Sequence, residues 1–252
     1  MSGRVPPFTA VITDSDPPIR CGGFSIVGQR SNDIPGFVTH VALTRSSGEI
    51  ERRTGIEVFH VCPPISAGNS PSRLDQCDLI ADLALDQEET ASIETWRAGV
   101  DREVTQHPDV RAFQQYTLIP HVRWHTAENG RRIRRRFSCI GFVTDAYESA
   151  GIQLLDPTCL PQAGEHDLRI AFPDLARLEA APPHVTERKL GFKGRSDLGI
   201  LGSGPWPVML PGYAFQATER ATAEHPRPAS YRPTSVDDAY YPRRANPAQP
   251  TS

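Results

Sequence analysis

Ser138-Cys139-Ile140-Gly141-Phe142-Val143-Thr144-Asp145-Ala146-Tyr147-Glu148-Ser149-Ala150-Gly151-Ile152 is the stretch on which the reading of this chain turns. Cys139, Phe142, Val143, Ala146, Tyr147 and Ala150 recur at the three- and four-residue spacing that places them on one face of a helix. Ser138 suits an N-cap and Gly151 a C-terminal stop, so Cys139 is expected to be the first helical residue. There the partial positive charge and unpaired backbone N–H groups of a helix start favour a thiolate, the form that attacks a carbonyl. The plain alternative is a small buried hydrophobe, because many cysteines are inert core.

Just upstream the period changes to two. Val122, Trp124 and Thr126 alternate with His121, Arg123 and His125, and Asn129-Gly130 marks a tight hairpin before the return strand Arg131–Phe137. With Asn129 and Gly130 as the two loop residues, Trp124 lies opposite Arg135, Arg123 opposite Arg136 and His121 opposite Ser138. One face is half apolar and suits a core. The other gathers His121, Arg123, His125, Arg132, Arg134 and Arg136, and opposed like charges need carboxylates of the fold or an external anion to neutralise them. Arg123, Arg134, Arg136 and His121 are therefore candidates to bind or steer an acidic substrate toward Cys139; a solvated face paired with the chain's own acids is the simpler account.

Further upstream, Gly23–Gln29, Gly36–Thr44 and Glu49–Val61 read as short strands between turns, an antiparallel meander. Ser72-Arg73-Leu74-Asp75 matches a helix-start signal, and Leu74, Cys77, Ile80, Ala81 and Ala84 follow at helical spacing. A second helix is expected over about Glu88 to Val104, burying Ile93, Trp96, Val100 and Val104. Residues 72–118 thus read as a helical insertion, residues 1–20 as a flexible arm or extended edge segment, and residues 217–252, with six prolines, as a disordered tail.

The whole chain has 252 residues, a net charge of −3 and 38% hydrophobic residues, which describes an ordinary globular protein and gives no basic field to recruit nucleic acid or anionic membrane. No apolar run is long enough for a membrane span or a signal peptide, so the cytosol is the default. Five cysteines without a C-x-x-C pair argue against a disulfide framework and a tetrathiolate zinc site, and the eight histidines show no metal-ligand spacing. No metal or cofactor is expected.

The run Cys139–Leu155, with its Cys-x-Gly-hydrophobic start, later Tyr147 and Ala150-Gly151-Ile152 exit, resembles the nucleophile helix of the NlpC/P60 papain-like superfamily. A strand histidine ahead of the cysteine, in Thr39-His40-Val41-Ala42-Leu43 and followed by Gly48-Glu49-Ile50-Glu51, resembles the circularly permuted branch that includes YiiX-type and lecithin:retinol acyltransferase-like proteins. The likeness covers residues 22–60 and 137–155. It implies an α+β, permuted papain-like fold in which an antiparallel sheet packs against the nucleophile helix, over a single domain of residues 21–216. It implies Cys139 as nucleophile, His40 as general base and Glu51 as the group that orients the imidazole, with Glu49 or Glu57 also able to serve. His121 competes with His40 as base. Ser138 stands where many relatives carry Asp, and no dedicated oxyanion donor is evident beyond the Cys139 N–H or Gln29.

The function implied is a cysteine-dependent hydrolase (amidase, peptidase or thioesterase) or acyltransferase working through an acyl-enzyme on a small-molecule, peptide or acyl substrate. Two rivals stand beside it. One is a non-catalytic interaction module using the Arg-rich hairpin and the Pro-rich tail. The other is a nucleic-acid binder using Arg131–Arg136 with Trp124, which the acidic net charge disfavours.

Overall fold

The computed structural model describes residues 6–13, 19–20, 23–46, 49–50, 56–61, 65–66, 72–74, 77–107, 116–172, 175, 179–180 and 194–243. The strands before the first helix are β1 (Phe8–Val11), β2 (Ile19–Arg20), β3 (Gly23–Arg30), β4 (Val38–Ser46), β5 (Glu49–Ile50), β6 (Ile56–Val58), β7 (His60–Val61), β8 (Ile65–Ser66), β9 (Ser72–Leu74) and β10 (Leu79–Asp82). Helix α1 (Gln87–Gln106), the hairpin β11 (Val122–Thr126) and β12 (Arg132–Phe137), and α2 (Cys139–Ser149) follow. The last elements are β13 (Gln162–Ala163), α3 (Glu165–Ala171), β14 (Trp206–Pro207) and α4 (Gly212–Glu219).

The fold is mixed α+β, centred on an antiparallel four-stranded sheet in the order β1-β10-β3-β4. Because successive strand residues face opposite sides, the register defines two faces. Phe24, Ile26, Val41, Leu43, Leu79 and Ala81 join the large core with the apolar residues of α1, α2 and α4. Val27, Ala42 and Ile80 lie side by side on the other face and pack with Ile12, Val58 and Cys77 in a second, separate cluster. Tyr147 ties α2 to the sheet by donating its hydroxyl to the Phe24 carbonyl at 3.0 Å. Gly28 is needed for packing: a Cβ there would sit 2.7 Å from the Phe215 ring of α4.

The helix expected from Ser72 is instead β9 and β10. Leu79, Ile80 and Ala81 are all fully buried between the two clusters, and a run buried on both sides carries no periodicity that tells strand from helix. Asp82 closes the strand: one carboxylate oxygen accepts from Ser25 Oγ at 2.8 Å and the other from the Ala84 N–H at 2.6 Å. The central sheet therefore runs through the presumed insertion. α1 starts with a capping box between Asp86 and Glu89, close to the expected boundary, and buries Ile93, Trp96 and Val100.

Of the two alternatives for the N-terminal arm the edge segment is the one formed, whereas residues 217–243 depart from the expected disorder. β1 pairs with β10 from Phe8↔Asp82 to Val11↔Leu79, so this part of the arm is an edge strand. Residues 217–243 pack against the domain: Tyr231 bridges to Leu155, Tyr240 to Phe37, and Gln216 Nε2 donates to the Tyr240 carbonyl at 2.7 Å. Ala239, Tyr240 and Tyr241 are buried. Proline content suggested a loose tail, but a few aromatic anchors repay the ordering of a segment whose prolines already restrict the unfolded chain. No helix among the described residues is long and apolar enough to cross a membrane.

Candidate functional site

The hairpin feeds directly into α2. Val122↔Phe137, Arg123↔Arg136, Trp124↔Arg135 and His125↔Arg134 pair as the sequence suggests, although the turn is longer than a two-residue loop. Ala127 N–H donates to the Arg131 carbonyl, leaving Glu128, Asn129 and Gly130 in the loop, with Gly130 at φ 77°. A bulge at Ile133 then absorbs one residue and restores the expected register.

At the end of β12, Ser138 caps α2 by accepting from the Gly141 N–H at 3.0 Å. His121 closes the joint. Its carbonyl accepts from the Ser138 N–H at 2.9 Å, its Nδ1 lies 2.9 Å from Ser138 Oγ, and its Nε2 lies 2.7 Å from the Met209 N–H. A backbone N–H only donates, so Nε2 is the bare nitrogen and Nδ1–H donates to Ser138. Burial lowers the His121 pKa to about 3, and the ring is neutral at ordinary pH. Gly141 is required because a Cβ there would lie 2.0 Å from the His121 carbonyl oxygen. With both ring nitrogens committed, His121 is a structural clasp rather than a base poised over a thiol.

Cys139 is the first residue of α2, as expected, but belongs to the large core at 4% exposure. His40 does not share its side of the sheet. Val41 and Leu43 point into the core that contains α2, while His40 shares its face with Ala42, in the second cluster. A one-residue change of register moves a side chain to the opposite face, and here it separates the proposed base from the proposed nucleophile. His40 Nε2 meets His60 Nδ1 at 2.8 Å, and burial together with the nearby His60 lowers the His40 pKa to about 3. Sequence reasoning did not single out His60, which has no distinguishing spacing. Gln29 pairs with His40 in the β3–β4 register. Glu57 is exposed on β6, and Glu51 falls outside the described residues.

The arginines of β12 are mostly internal. Arg135 binds both carboxylate oxygens of Glu103 and reaches Asp145 at 3.0 Å, joining α1, the hairpin and α2. Asp145 also accepts from Trp96 Nε1 at 2.7 Å. Arg136, 9% exposed, donates to the backbone carbonyls of Tyr116 and Asp197. Arg134 is 2% exposed. The face expected to be solvated is thus partly buried, with Arg123 exposed at its margin, while the bulge at Ile133 turns Arg132 to the other face, opposite Thr126 and over the Trp124 ring.

On the outer side of α2, a cleft of about 410 Å³ opens between the hairpin, residues 153–160 and Pro207–Met209. Its walls are apolar: Ile119, Val122, Leu154, Leu155, Leu160 and Met209. His121 contributes to the lining but Cys139 does not. Of the polar lining groups, Asp145 is neutralised by Arg135, and Thr144 donates its hydroxyl to carbonyls of α2. Glu148 and Gln153 are exposed at the rim. Volume and polarity match a small-molecule site. Among the described residues no group of three or more His, Cys, Asp or Glu side chains is placed to hold a metal, and Cys77, Cys139 and Cys159 form no disulfide.

No protein-family model matches this chain, and neither a curated protein nor a solved structure is similar enough to count as a match.

Proposed function

We propose that this chain is a cytosolic binding protein that holds a small, largely apolar molecule in the cleft beside α2, without covalent chemistry at Cys139. The observation that carries this reading is the contrast between an open apolar cleft with polar groups at its rim and a cysteine enclosed in the core with His40 on the far side of the sheet. Filling the cleft tests it. Leu160→Trp should weaken binding of the neutral dye Nile red at least tenfold while leaving the melting temperature nearly unchanged; equal affinity in the variant overturns the assignment. Cys139→Ala should bind the dye as the parent does.

The second reading is the cysteine hydrolase or acyltransferase of permuted papain-like fold. It is favoured by Cys139 at the start of a capped helix packed on β4, the strand that carries His40, whose partner His60 lies on β7. In it, β4 presents His40 to α2 during turnover and Cys139 forms an acyl-enzyme. Alkylation separates the two. Rapid reaction of Cys139 with iodoacetamide down to about pH 6, lost in His40→Ala, supports the hydrolase. Slow reaction with the ordinary thiol pH profile, unaffected by His40→Ala, supports the binding protein.

A further inference from the structure

Four basic side chains share one face of the hairpin in a two-by-two array, because His125 lies opposite Arg134 and Arg123 opposite Arg136. Arg136 is satisfied by two carbonyls, and Arg123 reaches solvent. Arg134 is different. It is 2% exposed, yet among the described residues its side chain makes one hydrogen bond, from Nη1 to the His107 carbonyl at 3.5 Å, the limit for such a bond. Its Nε and Nη2 are buried and have no acceptor among the described residues. The nearby acid, Glu103, already gives both oxygens to Arg135.

A guanidinium does not escape by losing its proton, and a buried charge that shares its acid with another cation and lacks acceptors is costly to the fold. The positions of the two unsatisfied nitrogens matter. Nε–H and Nη2–H point the same way along one edge of the planar fork, the edge that takes two oxygens of a carboxylate or phosphate side by side. Arg123 and Arg136 add positive charge on the same face; burial first, then the charges of Arg136, Arg123 and Arg134, lower the His125 pKa.

We infer that the Arg134 edge, flanked by Arg123 and His125, is a binding site for a doubly charged oxyanion, a phosphoryl group held side-on by Nε and Nη2. The site lies on the hairpin face defined by Arg134 and His125, and the inference does not depend on the ligand of the cleft. Recognition needs only a tetrahedral dianion, either free or as a phosphate ester.

Thermal unfolding of the full chain tests it at constant ionic strength, with sodium chloride replaced by inorganic phosphate, glycerol 3-phosphate or acetate. Phosphate at ten times its dissociation constant should raise the wild-type melting temperature by roughly 3–5 °C. Acetate, singly charged, should do less. A larger rise with glycerol 3-phosphate identifies an ester as the ligand, and an equal rise identifies the free anion. Arg134→Met, which keeps the volume and removes the charge, should melt in chloride at or above the wild-type temperature and show no phosphate-specific rise. The proposal is overturned if phosphate does not stabilise the wild type beyond chloride, if the rise persists in Arg134→Met, or if that variant melts several degrees below wild type in chloride.

Discussion

Two buried polar groups on the same hairpin, His121 and Arg134, are treated in opposite ways. His121 has a partner for each ring nitrogen and for its carbonyl, and the three bonds join the start of β11, the start of α2 and the irregular segment at Met209. Arg134, four pairs further along the ladder, keeps a permanent charge with one marginal acceptor among the described residues. A satisfied buried group is architecture, because removing it leaves its partners orphaned. An unsatisfied one is a standing cost that a ligand can offset.

The largest expected effect is on the architectural side. Gly141→Ala drives a methyl into the His121 backbone, which has no room to yield, and should destabilise by about 3–5 kcal/mol in chemical denaturation. His121→Phe preserves bulk but strands the Met209 N–H and disturbs the Ser138 cap, for an expected loss of about 2–4 kcal/mol. If that variant unfolds at wild-type denaturant, His121 is not a clasp and the contrast with Arg134 fails.

Acid sharpens the same comparison. The folded His121 pKa is about 3 against an ordinary 6.5, so between those values the unfolded chain binds a proton that the folded chain refuses. Stability is unaffected above pH 6.5 and falls as pH drops toward 3, by up to about 1.4 kcal/mol per unit for this residue. His40 acts in the same direction. The pH dependence of unfolding in His121→Phe should be shallower than wild type across this window; an unchanged slope would show that the ring is protonated in the fold. The smallest effect belongs to Arg132, exposed and stacked 5.4 Å from the Trp124 ring, where Ala should cost about 0.5 kcal/mol.

Local signals were read well where one residue's chemistry decides them. The Ser138 cap, the helix after it, α1 and the hairpin pairing all follow from spacing and capping, although the pairing held partly because the bulge at Ile133 cancels the longer turn. β10 has no legible period because Leu79–Ala81 are buried on both sides, and the packing of residues 217–243 is not legible because composition does not reveal that Tyr231, Tyr240 and Tyr241 find partners. His60, Glu103 and Met209 carried no signal at all, since their roles exist only through neighbours distant in sequence.

By itself the amino-acid order determined α1, the hairpin pairing and α2, and it placed a cysteine at the first turn of α2, because capping and periodicity act over a few residues. Only the tertiary structure decided that His40 turns away from that cysteine, that His121 is locked, and that Arg134 must share its nearby acid, Glu103, with Arg135. Strand parity, burial and charge compensation are properties of pairs brought together across the fold, and no single stretch of chain contains both members.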